Sequence, residues 1–162
     1  MLFDLGSLTG VHTVISLLAI LFGLAVLVEM LGARLPAFFG LVFLLLAVLT
    51  SATGFLFPFN GVLPSHIVGG IALVVLAVAL LARYAGHLRG AWRWVYAATM
   101  VASVYFLVFV GVAQSFAKVP AIHALAPTQA EPPFAIAQLI VLAIFVAIGL
   151  AAARRYRPSL AA

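Results

Sequence analysis

The chain has 162 residues, of which 67% are hydrophobic and only 7% are charged. Soluble domains are about half apolar and about a quarter charged, so this composition excludes a soluble globular protein and predicts an integral membrane protein. The net charge of +5 comes from scattered basic residues that form no stripe or arm, which argues against nucleic acid as a partner. The absence of cysteine excludes disulfides, thiolate nucleophiles, cysteine zinc sites and iron–sulfur clusters.

Five apolar stretches approach or exceed the ~20 residues that an α-helix needs to cross a ~30 Å hydrocarbon layer. Their predicted bounds are 8–30, 37–57, 64–82, 92–116 and 134–153. Proline, glycine or charged residues, which end helices, separate each stretch from the next. No basic segment precedes the first stretch, so we expect it to be a retained helix and not a signal peptide. The sequence predicts an all-α fold in one domain, 1–162, with five transmembrane helices.

The basic residues predict the orientation, because cytoplasmic loops are enriched in lysine and arginine. If the N-terminus is outside, Lys118 is the one basic residue on the outer side. All the arginines are then cytoplasmic: Arg34, Arg83, Arg89, Arg93, Arg154, Arg155 and Arg157. We therefore predict a cell-membrane protein of the bacterial inner-membrane type, with its N-terminus outside and its C-terminus in the cytoplasm.

The long connection 117–133 is rich in proline and is predicted to lie outside, as a cap over the outer face. Thr128 and Glu131 have the spacing of a capping box, but prolines follow directly after Glu131. We therefore expect Glu131 to be the N-cap of the fifth long helix, with Pro132 at the first helical position.

Polar side chains within the predicted helices lie mainly towards the outer face. Such groups are expensive in a membrane and usually face the interior of the bundle. His12 and His66 each lie within about one turn of the outer end of their helices, so their depths agree. The remaining polar groups on this side are Ser16, Thr50, Ser51, Thr53, Gln114 and Gln138, with Asn60, Lys118, His123, Gln129 and Glu131 in the loops.

Haem b is the preferred occupant of this outer polar region, with His12 and His66 as its axial ligands. Neutral imidazole is a common axial ligand, and helical bundles build cofactor sites from inward-facing side chains. Gln114, Lys118 and Gln138 are the other candidate cofactor-binding residues, and Lys118 is placed to meet a haem propionate. The expected function is electron exchange between this cofactor and a quinone or an extracytoplasmic redox partner.

The paired histidines resemble those of small membrane cytochromes b, which lie in transmembrane helices near the outer face. The resemblance covers His12, His66 and the small residues that flank them. Because the chain offers one such pair, the resemblance implies a single haem and no electron path across the membrane between two haems.

A quinone or a similar lipophile is an alternative occupant. It needs an apolar cleft that opens to the bilayer and one or two polar groups for its carbonyl oxygens. His12 or His66, together with Gln114 or Gln138, would supply these groups.

Other interpretations stay open. A zinc or copper ion could be held by His12, His66, His123 and Glu131. The histidines could instead be ordinary interfacial residues. The alternative function is that of a non-catalytic accessory subunit or a small-molecule permease, with a quinone- or lipid-type pocket at the same outer polar cluster, in a homo- or hetero-oligomer. The chain contains no phosphate-binding loop, nucleophile elbow or metalloprotease motif, so the sequence does not decide whether the protein is an enzyme.

Overall fold

A computed structural model describes residues 6–57 and 64–156. Its helices, in chain order, are α1 (Leu8–Leu31), α2 (Ala37–Gly54), α3 (Pro64–Leu80), α4 (Trp92–Lys118), the short α5 (Pro120–His123) and α6 (Pro132–Arg155). A π-helical turn, Leu81–Ala85, extends α3. Among these described residues, five helices are long and apolar enough to span a membrane, which confirms the all-α prediction and its helix count. Asn60 and Arg157 lie outside the described residues.

The predicted helix bounds agree with the observed ones to within two residues except at the end of α2. This helix ends at Gly54 and not at 57. Phe55 and Leu56 instead donate their backbone N–H groups to the carbonyls of Ala52 and Thr53, at 3.2 and 3.1 Å, in a tighter turn. The short turn holds Phe55 and Phe57 beside the polar end of the bundle.

The long helices pack as an antiparallel bundle in which α1 and α4 each contact three of the other long helices. α4 contacts α1, α3 and α6, while α2 packs against both α1 and α3. Within the described residues α1 and α3 share at most a marginal contact, and each of them packs against both α2 and α4. The shared apolar core includes Val26, Met30, Phe43, Leu76, Met100, Val104 and Phe145.

The outward faces of the helices are apolar. α6 shows this most clearly, since its buried residues form one stripe, Gln138, Phe145 and Ala152, while Leu139 and Leu150 are 62% and 56% exposed. A soluble monomer rarely exposes so much contiguous apolar surface, whereas hydrocarbon is a suitable solvent for it. The surface therefore fits a lipid bilayer as the environment of the bundle.

The bundle has two chemically different ends. The histidine end consists of the first turns of α1, α3 and α6 and the last turns of α2 and α4, and it carries both His12 and Lys118. The arginine end is the opposite one, and it carries Arg34, Arg83, Arg89, Arg93, Arg154 and Arg155. All described arginines thus lie at one end, and the lysine lies at the other.

Candidate functional site

His12 is the best-anchored polar side chain of the histidine end. It lies one turn into α1 and is half-buried, and its Nδ1 is 2.8 Å from Thr53 Oγ1 on α2. The edge of its ring meets Phe57, with 5.2 Å between the ring centroids. The imidazole is therefore held between a hydroxyl and an aromatic ring, both supplied by the end of α2.

The hydrogen bonds of Thr53 define which nitrogen of His12 carries the proton. Thr53 Oγ1 is 2.7 Å from the carbonyl of Leu49 and 3.2 Å from that of Thr50. Two oxygens this close repel unless a proton lies between them, so the single hydroxyl proton is donated to Leu49. Thr53 must then accept from Nδ1–H of His12, which leaves Nε2 of the neutral ring with its lone pair.

His66 lies near the start of α3, beside the turn that follows α2. It is buried, at 8% exposure, and its ring is 5.8 Å from that of Phe55. One turn further along α3, a methyl group built on Gly70 would meet nothing within 4 Å, so there is open space beside this helix. The structure thus gives each histidine an aromatic neighbour from the turn after α2, Phe57 for His12 and Phe55 for His66.

Two glutamines attach α6 and the preceding loop to α4. Gln138 Nε2 donates to the carbonyl of Phe109 at 3.1 Å, and Gln129 Nε2 donates to that of Ala113 at 2.9 Å. Gln138 is 8% exposed, and its Oε1 has no hydrogen-bond partner among the described residues. A buried amide oxygen without a donor is costly, so Gln138 offers an acceptor to a ligand or a water molecule.

The connection between α4 and α6 folds back over the end of α4. His123 Nδ1 donates to the carbonyl of Phe116 at 2.9 Å, and Phe116 packs edge-on against Phe134 at 5.4 Å between centroids. Together with Gln129, these contacts hold the segment 119–131 at the histidine end. The segment is a structured connection of the kind that the sequence predicted as a cap.

Glu131 is the N-cap of α6 with Pro132 after it, which confirms the prediction for this helix start. Its carboxylate does not bond to the helix but accepts from Thr128 N, at 3.3 Å, and from Thr128 Oγ1, at 2.9 Å. Desolvation acts to raise the pKa of Glu131, but the hydrogen bonds from Thr128 and the backbone together lower it below its usual value. Glu131 therefore stabilises the loop as a charged group.

Lys118 and Gln114 lie on the exposed surface at the end of α4. The charge of Lys118 acts electrostatically on the His12 imidazole. Lys118 and His12, both predicted site residues, therefore belong to the same region. Gln114 has no role that the described contacts define.

Thr53 is the site residue whose role the sequence did not reveal. It was one polar residue among several on α2, yet it is the direct partner of His12. The signal that could have identified it is depth, because a short loop joins α1 to α2 and Thr53 lies at the level of His12.

The described residues contain no cluster of three or more His, Asp or Glu side chains that could hold a metal ion. His123 and Glu131, which the sequence analysis considered as ligands, are engaged with Phe116 and Thr128 instead. The zinc or copper alternative therefore has no support within this part of the chain.

The fold and the site define a class: a small, all-helical protein of membrane-spanning type with a polar site at one end of its bundle. No family model, curated protein or solved structure matches the chain.

Proposed function

We propose that this protein binds a quinone-class lipophile at the histidine end, for electron exchange with a redox partner. The observation that carries the proposal is the His12 imidazole, which is held by Thr53 and keeps one ring nitrogen available beside Phe57. Lipophile sites combine apolar walls with a few oriented polar groups. The end of α2 supplies apolar walls, and His12 supplies the oriented group.

The aromatic neighbours of the two histidines support a quinone over a haem held by both of them. A haem ligated by His12 and His66 needs the two imidazoles to face each other across one ring, with no side chain between them. Phe55 and Phe57 occupy positions next to the two imidazoles. A quinone needs only one of these histidines and a flat space beside it.

Haem b remains a second candidate, because the hydrogen bond made by His12 Nδ1–H is of the kind that orients a metal-ligating histidine. Histidines that bind metals usually donate the other ring N–H to a nearby acceptor, which orients the ring. The bond from His12 Nδ1–H to Thr53 is of this kind. Lys118 then stands in the region where a propionate would need a cation.

The proposal places the histidine end outside a bacterial-type inner membrane. The described arginines all lie at the opposite end, and arginine-rich ends are usually cytoplasmic. A ligand at the histidine end would then exchange electrons with an extracytoplasmic partner.

An absorbance spectrum combined with extraction of bound lipids tests the proposal. Protein purified in detergent should lack a Soret band and should release a quinone that mass analysis identifies. His12→Ala should remove the quinone, whereas His87→Ala, which changes an exposed histidine of the arginine end, should retain it. A Soret band that His12→Ala abolishes would favour haem b instead. If the purified and ligand-supplemented protein contains neither a quinone nor a haem, the proposal is contradicted.

A further inference from the structure

The hydrogen-bonding capacity that remains at His12 is that of an acceptor. Nδ1–H is committed to Thr53 at 2.8 Å, and the Thr53 hydroxyl proton is committed to Leu49 at 2.7 Å. The neutral ring therefore presents a lone pair at Nε2 and no further proton. A ligand that approaches this nitrogen must bring a hydrogen-bond donor.

Gln138 contributes a second acceptor at the same end of the bundle. One N–H of its amide donates to the carbonyl of Phe109, and its Oε1 is buried with no donor among the described residues. His12 Nε2 and Gln138 Oε1 are thus both acceptors that a donor from outside the described contacts could satisfy.

The oxidised and reduced forms of a quinone differ in whether they can donate a hydrogen bond. A hydroquinone carries hydroxyl groups that donate, whereas a quinone carries carbonyl oxygens that only accept. A carbonyl oxygen opposite Nε2 would set two lone pairs against each other, whereas a hydroxyl would form a hydrogen bond.

We propose that the histidine end recognises the reduced, hydroxyl-bearing form of its lipophile, and that Thr53 sets this preference by holding the His12 proton on Nδ1. The inference rests on the proposed function and specifies the substrate state. Thr53 is a positioning residue here, because it acts on the ligand only through the tautomer of His12.

Binding of a matched redox pair tests the preference. The full chain in detergent is titrated under anaerobic conditions with a decyl-substituted benzohydroquinone and, separately, with the corresponding benzoquinone. We expect the hydroquinone to bind about tenfold more tightly, which corresponds to one good hydrogen bond gained and one repulsion avoided. Tighter binding of the benzoquinone, or equal binding of both, would overturn the inference and leave the proposed function standing.

Substitutions at two threonines test the role of Thr53. Thr53→Val should bring the affinity ratio close to one, because His12 can then place its proton on either nitrogen, and Thr53→Ser should restore the preference. Thr13→Val is the matched control, since Thr13 bonds only to the carbonyl of Thr9 in its own helix, and it should keep the wild-type ratio. An unchanged ratio in Thr53→Val would contradict the assignment.

Nitrogen NMR of the wild-type protein tests the tautomer without any substitution. With ¹⁵N-labelled histidine, His12 should show a protonated Nδ1 and an unprotonated Nε2, and the opposite pattern would overturn the inference even if Thr53→Val fails to fold. If neither benzoquinone nor benzohydroquinone binds, the proposed function itself fails and this inference fails with it.

Discussion

Gly23 on α1 and Gly70 on α3 have different surroundings. A methyl group on Gly23 would lie 2.9 Å from both Phe43 Cε2 and Val104 Cγ2, so α2 and α4 pack directly against this position. A methyl group on Gly70 would meet nothing within 4 Å. Gly23 therefore permits close helix packing, whereas Gly70 borders open space near His66.

Replacing Gly23 by alanine should destabilise the bundle. Phe43 and Val104 are both 0% exposed and cannot move aside, and overpacking of this kind costs about 1–3 kcal/mol. Thermal unfolding in detergent measures the effect. Gly70→Ala is the control and should be neutral or stabilising, because glycine in a helix costs about 0.5–1 kcal/mol relative to alanine. Equal unfolding temperatures for the two variants would contradict this account.

Two neighbouring tyrosines at the arginine end differ in the hydrogen bonding of their hydroxyl groups. Tyr96 and Tyr156 are 0% and 2% exposed, with 6.0 Å between ring centroids. Arg83 Nη1 donates to Tyr96 Oη at 3.2 Å, whereas the Tyr156 hydroxyl has no hydrogen-bond partner among the described residues. Burial raises the pKa of Tyr156, so its hydroxyl stays protonated at neutral pH.

Removing these hydroxyls one at a time should give opposite results. Tyr96→Phe should destabilise the protein by about 1–2 kcal/mol, because a buried bond to a charged donor is lost and half-buried Arg83 keeps part of its solvation. Tyr156→Phe should be neutral or stabilising, since it removes a buried polar group without a partner. Unfolding temperatures of the two variants in one detergent decide the point, and a larger loss in Tyr156→Phe would refute it.

At the scale of elements, the end of α1 is a turn that contains a non-glycine residue in the left-handed region. Ala33 has φ of 57°. The N–H groups of Gly32, Ala33 and Arg34 donate to carbonyls of the last turn of α1, at 3.1, 3.1 and 2.9 Å. The turn satisfies the end of the helix but requires a conformation that L-residues rarely adopt.

Ala33→Gly should therefore stabilise the protein by about 0.5–1 kcal/mol, because the relief of left-handed strain exceeds the entropy cost of glycine. Thermal unfolding again measures the change. Ala98→Gly makes the same substitution on an exposed helical position of α4 and should destabilise by about 0.5–1 kcal/mol. A loss of stability in Ala33→Gly would show that the turn does not adopt this conformation.

At the scale of the whole molecule, charge is separated along the bundle axis. The described arginines lie at one end, while Lys118 lies at the other with the polar site. If the positive-inside rule applies, the segment 119–131 faces the outside and the α3–α4 connection faces the cytoplasm.

Single cysteines test this orientation cleanly, since the chain has no cysteine of its own. Ala124→Cys and Ala91→Cys each change an exposed alanine, at the histidine end and the arginine end respectively. A membrane-impermeant maleimide should label Ala124→Cys in intact cells and Ala91→Cys only after permeabilisation. The reverse pattern would contradict the orientation and leave the helical fold unaffected.

The sequence by itself determined the helices, the N-cap at Glu131 and the level of each polar group along the bundle axis. These properties are local, because hydropathy, proline and glycine act within a few residues of their own positions. Depth alone put His12 and His66 at one level and left their relation open. Only the tertiary structure decided that α1 and α3 each pack against both α2 and α4, and that His12 meets Thr53. The reason is physical: lateral order depends on how side chains of different helices interlock, as Gly23 does with Phe43 and Val104, and no single helix carries that information.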